Sequence, residues 1–245
     1  MKLLWMVIFA AYCLMAGNSF ASGVLWGYTG SGAPDQWGNL DPAFALCGQG
    51  VNQSPINLTG FIEAELEPID FKYSGLTTEI LNNGHTIQVN HASGSSINLG
   101  GKSFELKQFH FHAPSENLID GESFPMEAHF VHVAKDGSLA VIGVMYQTGE
   151  MNSALEMLWQ QMPLKAGAKV ALASQVKADK LLPENRDYYR FNGSLTTPPC
   201  TEGVLWMVMK EPVSVSRNQV EAFAHLMHHP NNRPVQQVNA RPVLK

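Results

Sequence analysis

The sequence predicts a single, mostly β domain of largely antiparallel sheet, with helices at its margins. Three observations predict it. From Thr77 onward, short runs of alternating apolar and polar residues are separated by turn residues. The 14 prolines and 21 glycines are spread along the chain, as many turns require. Only two stretches carry helical spacing.

Taken in order, residues 22–60 are rich in Gly, Pro, Asn and Gln and form a long irregular lead-in. Glu79–Leu81 and Thr86–Asn90 flank Asn82-Asn83-Gly84, a hairpin signal. Ser103–His112 alternates and reads as one strand. Met126–Ala134 and Ser138–Gln147 flank Lys135-Asp136-Gly137, a second hairpin, and Gly203–Lys210 is a later apolar run. Ser153-Ala154-Leu155-Glu156 opens a helix with a capping-box pattern, its apolar side made by Leu155, Met157, Leu158 and Met162. Ser216-Arg217-Asn218-Gln219 opens another, with Val220, Phe223, Ala224 and Met227 at helical spacing. No repeat, low-complexity linker or break in composition divides the chain.

The 245 residues can bury a core of their own. Hydrophobic residues make up 45% and charged residues only 15%, which argues against disorder. The net charge is −5 and no Lys/Arg run occurs, which excludes an evident nucleic-acid surface.

The N-terminus reads as an address. Lys2 precedes an apolar stretch, Leu3–Ala16, and small residues lead to a cleavage site after Ala21. The run is short for a membrane span. Cys13 inside it follows Tyr12, whereas a lipid-accepting cysteine follows a small residue. The expected layout is a signal peptide at 1–21 and a mature domain at 22–245, with a charge of −6 once Lys2 is lost. The mature chain keeps Cys47 and Cys200. Export favours pairing them, and two buried free thiols are the alternative.

The chemistry starts from three histidines. In Phe104–His112, residues two apart share a face, so Phe104, Leu106, Gln108, His110 and His112 are expected on one side. Two imidazoles side by side can bind one metal. A third ligand from a neighbouring strand is His129, whose face also holds Glu127 and Val131 while His132 points away. Three neutral histidines suit tetrahedral Zn²⁺ with one open position, a catalytic rather than structural arrangement. Gln108 and Glu127 each precede a histidine by two positions and can accept an imidazole N–H.

With these residues in place the chain resembles the α-class carbonic anhydrases of the bacterial exported type. The resemblance rests on Gln108-Phe-His110-Phe-His112-Ala-Pro-Ser115-Glu116-Asn117, on Phe124-Pro-Met-Glu127-Ala-His129-Phe-Val, and on Gly193-Ser-Leu195-Thr196-Thr197-Pro198-Pro199-Cys200-Thr-Glu-Gly. Gln53-Ser54-Pro55-Ile56, Asn82-Asn83-Gly84-His85 and Asn232-Arg233-Pro234 add to it, in family order from about Trp26 to Pro234. It implies an α/β roll around a ten-stranded, twisted, mostly antiparallel sheet, with zinc at the base of a cone-shaped cleft, and reversible hydration of CO₂ to bicarbonate and a proton. It also implies a Cys47–Cys200 disulfide. One departure stands out: Leu25 precedes Trp26 where many members carry histidine.

The resemblance assigns roles. His110, His112 and His129 bind zinc, with Gln108 and Glu127 orienting two of them. Thr196 accepts the proton of the zinc-bound hydroxide and donates its own to an ionised Glu116. Val131 lines an apolar wall for CO₂, with Val141, Leu195, Thr197 and Trp206 beside it. His85 relays the proton outward, and Tyr28 and Asn83 help order the relay water. His91, His132, His225, His228 and His229 match no ligand position and read as surface residues. A catalytically silent relative would lack one of the zinc histidines, and a zincin-type peptidase would show His-Glu-x-x-His. Neither pattern occurs here. The expected partner is the small substrate alone, with no nucleic acid and no membrane after signal cleavage. The expected assembly is a monomer or homodimer, and the expected compartment is the periplasm.

Overall fold

The computed structural model describes residues 25–245, so the signal peptide read at 1–21 and Cys13 lie outside the described residues. Thirteen strands are present: β1 (Asn57–Leu58), β2 (Asp70–Tyr73), β3 (Thr77–Asn82), β4 (Ile87–His91), β5 (Ser95–Leu99), β6 (Lys102–His112), β7 (Leu118–Ile119), β8 (Met126–Ala134), β9 (Leu139–Thr148), β10 (Lys169–Ala171), β11 (Tyr188–Ser194), β12 (Glu202–Met209) and β13 (Val213–Val215). Four short α-helices accompany them: α1 (Trp37–Leu40), α2 (Leu46–Gln49), α3 (Ser153–Trp159) and α4 (Arg217–Met227). β1 and β7 form a small parallel pair. The other strands build one sheet of eleven, one more than the resemblance implies, with the spine β10-β3-β4-β6-β8-β9-β12-β11. β5 adds to β6, β2 to β5 and β13 to β9. Pairing is mostly antiparallel, and β9 is parallel to both β12 and β13.

Both predicted hairpins form. β3 and β4 pair with Asn82 opposite Ile87, and β8 and β9 pair along their length. The sheet carries apolar residues on both faces. On one, Ala128 and Phe130 of β8 pack with Ile142 and Val144 of β9 and with the inner sides of α3 and α4. On the other, Val141 of β9 and Trp206 and Val208 of β12 pack with Ile56, Leu58 and Phe191. Each large side chain so buried contributes about 1.5–3 kcal/mol.

One feature overturns the expected faces of β6. Strict alternation puts Phe104 and Leu106 with the histidines. The register instead slips at Lys107, with Leu106 opposite His132 and Gln108 opposite Val131. This bulge inserts one unpaired residue. Phe104 and Leu106 therefore join Phe109 and Phe111 in the same core, while the histidine end of the strand keeps its own phase.

Both helices form, with one change of cap. α3 is capped by Asn152, which accepts from the N–H groups of Ala154 and Leu155, and not by Ser153. Asn152 terminates the turn one residue earlier than the pattern suggests, and Met157 is left 41% exposed. α4 shows the predicted capping box between Ser216 and Gln219.

Candidate metal centre

β6 and β8 pair so that His110 lies opposite His129, and His112 opposite Glu127. Antiparallel partners on one face bring their side chains together. One ring nitrogen from each of His110, His112 and His129 falls within 4.8 Å of the others.

The remaining nitrogens are held from outside. His110 Nδ1 donates to Gln108 Oε1 at 2.9 Å, and His112 Nδ1 to the backbone carbonyl of Asn231 at 2.7 Å. His129 Nε2 stands 2.9 Å from Glu127 Oε1, off the line of a formed hydrogen bond. This leaves Nε2 of His110, Nε2 of His112 and Nδ1 of His129 turned inward. His112 Nε2 is buried with no hydrogen-bond partner. Burial, helped by mutual repulsion, holds His110 and His129 well below the ordinary imidazole range, and burial lowers His112 as well. Three neutral rings with inward lone pairs, the outer nitrogens of His110 and His112 hydrogen-bonded and that of His129 beside Glu127, fit a tetrahedral Zn²⁺ site.

Glu116 follows β6 and is fully buried. Its Oε1 accepts the backbone N–H of Arg233 at 2.7 Å, while its Oε2 lies 3.5 Å from His112 Nε2 and 3.8 Å from His129 Nδ1. Burial pushes its carboxyl up to about 8, and the Arg233 N–H and the Thr196 hydroxyl pull it down. Glu127 is satisfied more fully. It accepts from the backbone N–H groups of Glu116 and Asn117 and from Asn117 Nδ2, all at 2.8 Å. Gly143, opposite His129 on β9, leaves room for this carboxylate: a Cβ there would meet Glu127 Oε1 at 3.0 Å.

The other predicted residues are also gathered. Val131 faces Val141, Val141 faces Trp206 across adjacent strands, and Leu195 packs on the same cluster. Trp206 meets His129 edge-on at 4.8 Å. On the opposite side, Tyr28, Asn83, His85 and Thr197 line a cavity of about 130 Å³ that also reaches His110 and His112. His85 lies flat on Trp26, with ring centroids 3.7 Å apart. Asn83 Oδ1 accepts the N–H groups of His85 and Thr86, so the amide oxygen shapes the turn that presents His85. Cys47 and Cys200 form a disulfide.

Three features were not read from the sequence. The outer partner of His112 is a main-chain carbonyl, which leaves no residue signature. Arg233, 1% exposed, donates to Gln53 Oε1 and to the carbonyls of Ser54 and Cys47, tying the disulfide to Glu116; the Asn-Arg-Pro motif was its only signal. The surface reading of two histidines is also corrected. His132 is fully buried and His91 nearly so: His132 shares a face of β8 with Ala128 and Phe130, which the core covers. His229 is half-buried at the cleft rim, 6.0 Å from the Tyr28 ring.

Comparison with known proteins agrees with this geometry. A family model described as eukaryotic-type carbonic anhydrase matches residues 32–245. A carbonic anhydrase of Pectobacterium atrosepticum is 47% identical over 226 residues, covering 92% of this chain and 93% of that one. One from Neisseria gonorrhoeae is 48% identical, covering 90% and 87%. The structure of the α-carbonic anhydrase of Thermovibrio ammonificans, in complex with the inhibitor sulfanilamide, superposes with a TM-score of 0.90 at 49% identity, over 91% of this chain and all of that one. A histidine trio on paired strands, agreement of sequence across the described domain and agreement of fold all lead to the same place: the chain belongs to the α-carbonic anhydrase family.

Proposed function

We propose that this carbonate dehydratase holds one Zn²⁺ on His110, His112 and His129 and converts CO₂ and bicarbonate reversibly in the cleft beside them. The observation that carries the reading is the set of three neutral imidazoles, two of them held from outside by hydrogen bonds and all three bare within. Zinc bound there would supply Lewis acidity, making a water acidic enough to lose its proton near neutral pH.

The chain's own residues do the rest. Gln108, Glu127 and the Asn231 carbonyl fix the ring orientations. Thr196 Oγ1 donates to Glu116 and accepts the proton of the attacking oxygen, which aims a lone pair of that oxygen at the substrate. Glu116 must be ionised to accept. The charge of a dication at the neighbouring rings, with the Arg233 N–H, opposes the upward pull of burial. Val131, Val141, Leu195 and Trp206 offer apolar CO₂ a dry wall, with Thr197 on the rim. His85 carries the proton outward through water ordered by Tyr28 and Asn83.

The domain at 22–245 acts after export behind the 1–21 signal, in the periplasm, as a monomer or homodimer with no nucleic-acid or membrane partner. The disulfide supports an oxidising compartment. No helix among the described residues is long and apolar enough to cross a membrane.

Stopped-flow CO₂ hydration, run with and without a zinc chelator and paired with elemental analysis, tests the reading. Activity should vanish on stripping and return with one equivalent of zinc. Stripped protein that remains fully active would overturn it. Stoichiometric zinc without turnover would mark a binding protein instead.

A further inference from the structure

We propose that His229 is a second proton-exchange residue, which takes the proton from His85 and passes it to buffer at the mouth of the cleft. The inference rests on His85 as the first carrier, and the experiment below separates the two.

His85 is confined. One face of its ring is covered by Trp26 at 3.7 Å, and Tyr28 approaches at 6.5 Å. His229 lies 6.0 Å from the same Tyr28 ring, so the two imidazoles approach one phenol. His229 comes from the segment just after α4, whose Asn231 Nδ2 donates to the His85 carbonyl at 3.0 Å and fixes the two loops against each other.

The tautomer of His229 suits the task. Its Nδ1 lies 2.9 Å from the Pro230 carbonyl oxygen, which can only accept. Nδ1 therefore carries the hydrogen, and Nε2 keeps the free lone pair of a base. The ring is half-buried and so still meets solvent.

The two rings also sense each other. Burial first, and then the charge of His229, lower the affinity of His85 for a proton. One charge is thus shared between two sites. When His85 is charged, its N–H proton passes through water to Nε2 of His229. His85 returns to neutral, and the His229 imidazolium releases a proton to buffer. The other titratable groups here are Tyr28, kept protonated by burial and by Glu116 beyond it, and His225 and His228 at the end of α4.

The test uses zinc-loaded enzyme in a poorly basic buffer at low concentration. His229→Ala should lower kcat about 3- to 5-fold with kcat/KM unchanged, and the loss should disappear at high buffer concentration. His85→Ala should lower kcat more, and adding His229→Ala to it should cost nothing further. His228→Ala should match the parent. In an NMR titration of the ring C–H signals, His229→Ala should shift the His85 midpoint upward, a readout independent of turnover. Unchanged buffer dependence and an unmoved His85 midpoint would overturn the role of His229 while leaving His85 in place. A full extra loss in the double variant would make His229 a separate route and also overturn the relay. An inert His85→Ala would instead remove the first carrier.

Discussion

Glu127 Oε2 accepts the backbone N–H of Glu116 at 2.8 Å, while its Oε1 stands 2.9 Å from Nε2 of His129. One carboxylate therefore positions both Glu116 and the His129 ring. Both oxygens face donors only, so an amide in its place must turn its NH₂ toward N–H groups. Buried donors left without acceptors cost about 1–3 kcal/mol each. Glu127→Gln should weaken zinc binding by about 10–100-fold and lower turnover with it. A chelator competition titration reads the affinity, and a variant with parental affinity would contradict the assigned role.

Thr196 is buried, and its hydroxyl bonds Glu116, whereas the outer nitrogens of His110 and His112 are held by Gln108 and the Asn231 carbonyl. Thr196→Ala should retain stoichiometric zinc and lose turnover by on the order of 10²-fold. Elemental analysis beside the CO₂ assay checks it. Full activity in zinc-replete protein would remove the relay.

Val131 faces Val141 at the start of the apolar wall and is only partly buried, so it can be enlarged without overfilling the core. Val131→Tyr should lower kcat/KM by about tenfold, ~1.4 kcal/mol, with little change in melting temperature. An unaffected rate would show that CO₂ does not use this wall.

His132 is fully buried, with Nε2 2.7 Å from the Tyr73 hydroxyl and Nδ1 without a partner. Burial pushes it down to about 3, whereas the unfolded chain protonates it near 6.5. Between these values the unfolded state binds the extra proton. Stability is thus intact above about pH 6.5 and falls as pH drops toward 3, by up to about 5 kcal/mol. His132→Gln should flatten that acid limb in calorimetric scans. Identical limbs in the two proteins would refute the assignment.

The Cys47–Cys200 bond closes a separation of 153 residues. Replacing both cysteines with serine should cost about 2–4 kcal/mol, measured by urea unfolding. Equal midpoints for the two proteins would show that Arg233 and its carbonyl partners hold this region unaided.

The alternating strands were legible because each has one apolar and one polar phase, and the trio could be read because His110 and His112 lie on one unbroken stretch. The bulge at Lys107 was not. Glu105-Leu106-Lys107-Gln108 alternates perfectly and contains no glycine, so only the pairing with β8 reveals the slip. His132 differs: alternation along β8 places it with Ala128 and Phe130, and the apolar cover on that face accounts for its burial. The Asn231 carbonyl and the Arg233 N–H are main-chain groups, and residue type does not announce them.

The strip from His229 to Arg233 reaches the rim, the His85 loop, the His112 ring and Glu116 within five positions. Apart from the His112 ring, none of these contacts falls on the strands that carry the trio. A proteolytic nick between α4 and Pro234 would leave the β-scaffold intact yet detach the supports of the His112 ring, Glu116 and the His85 loop together, so resistance of this one ribbon to cutting would govern how long the cleft keeps its shape.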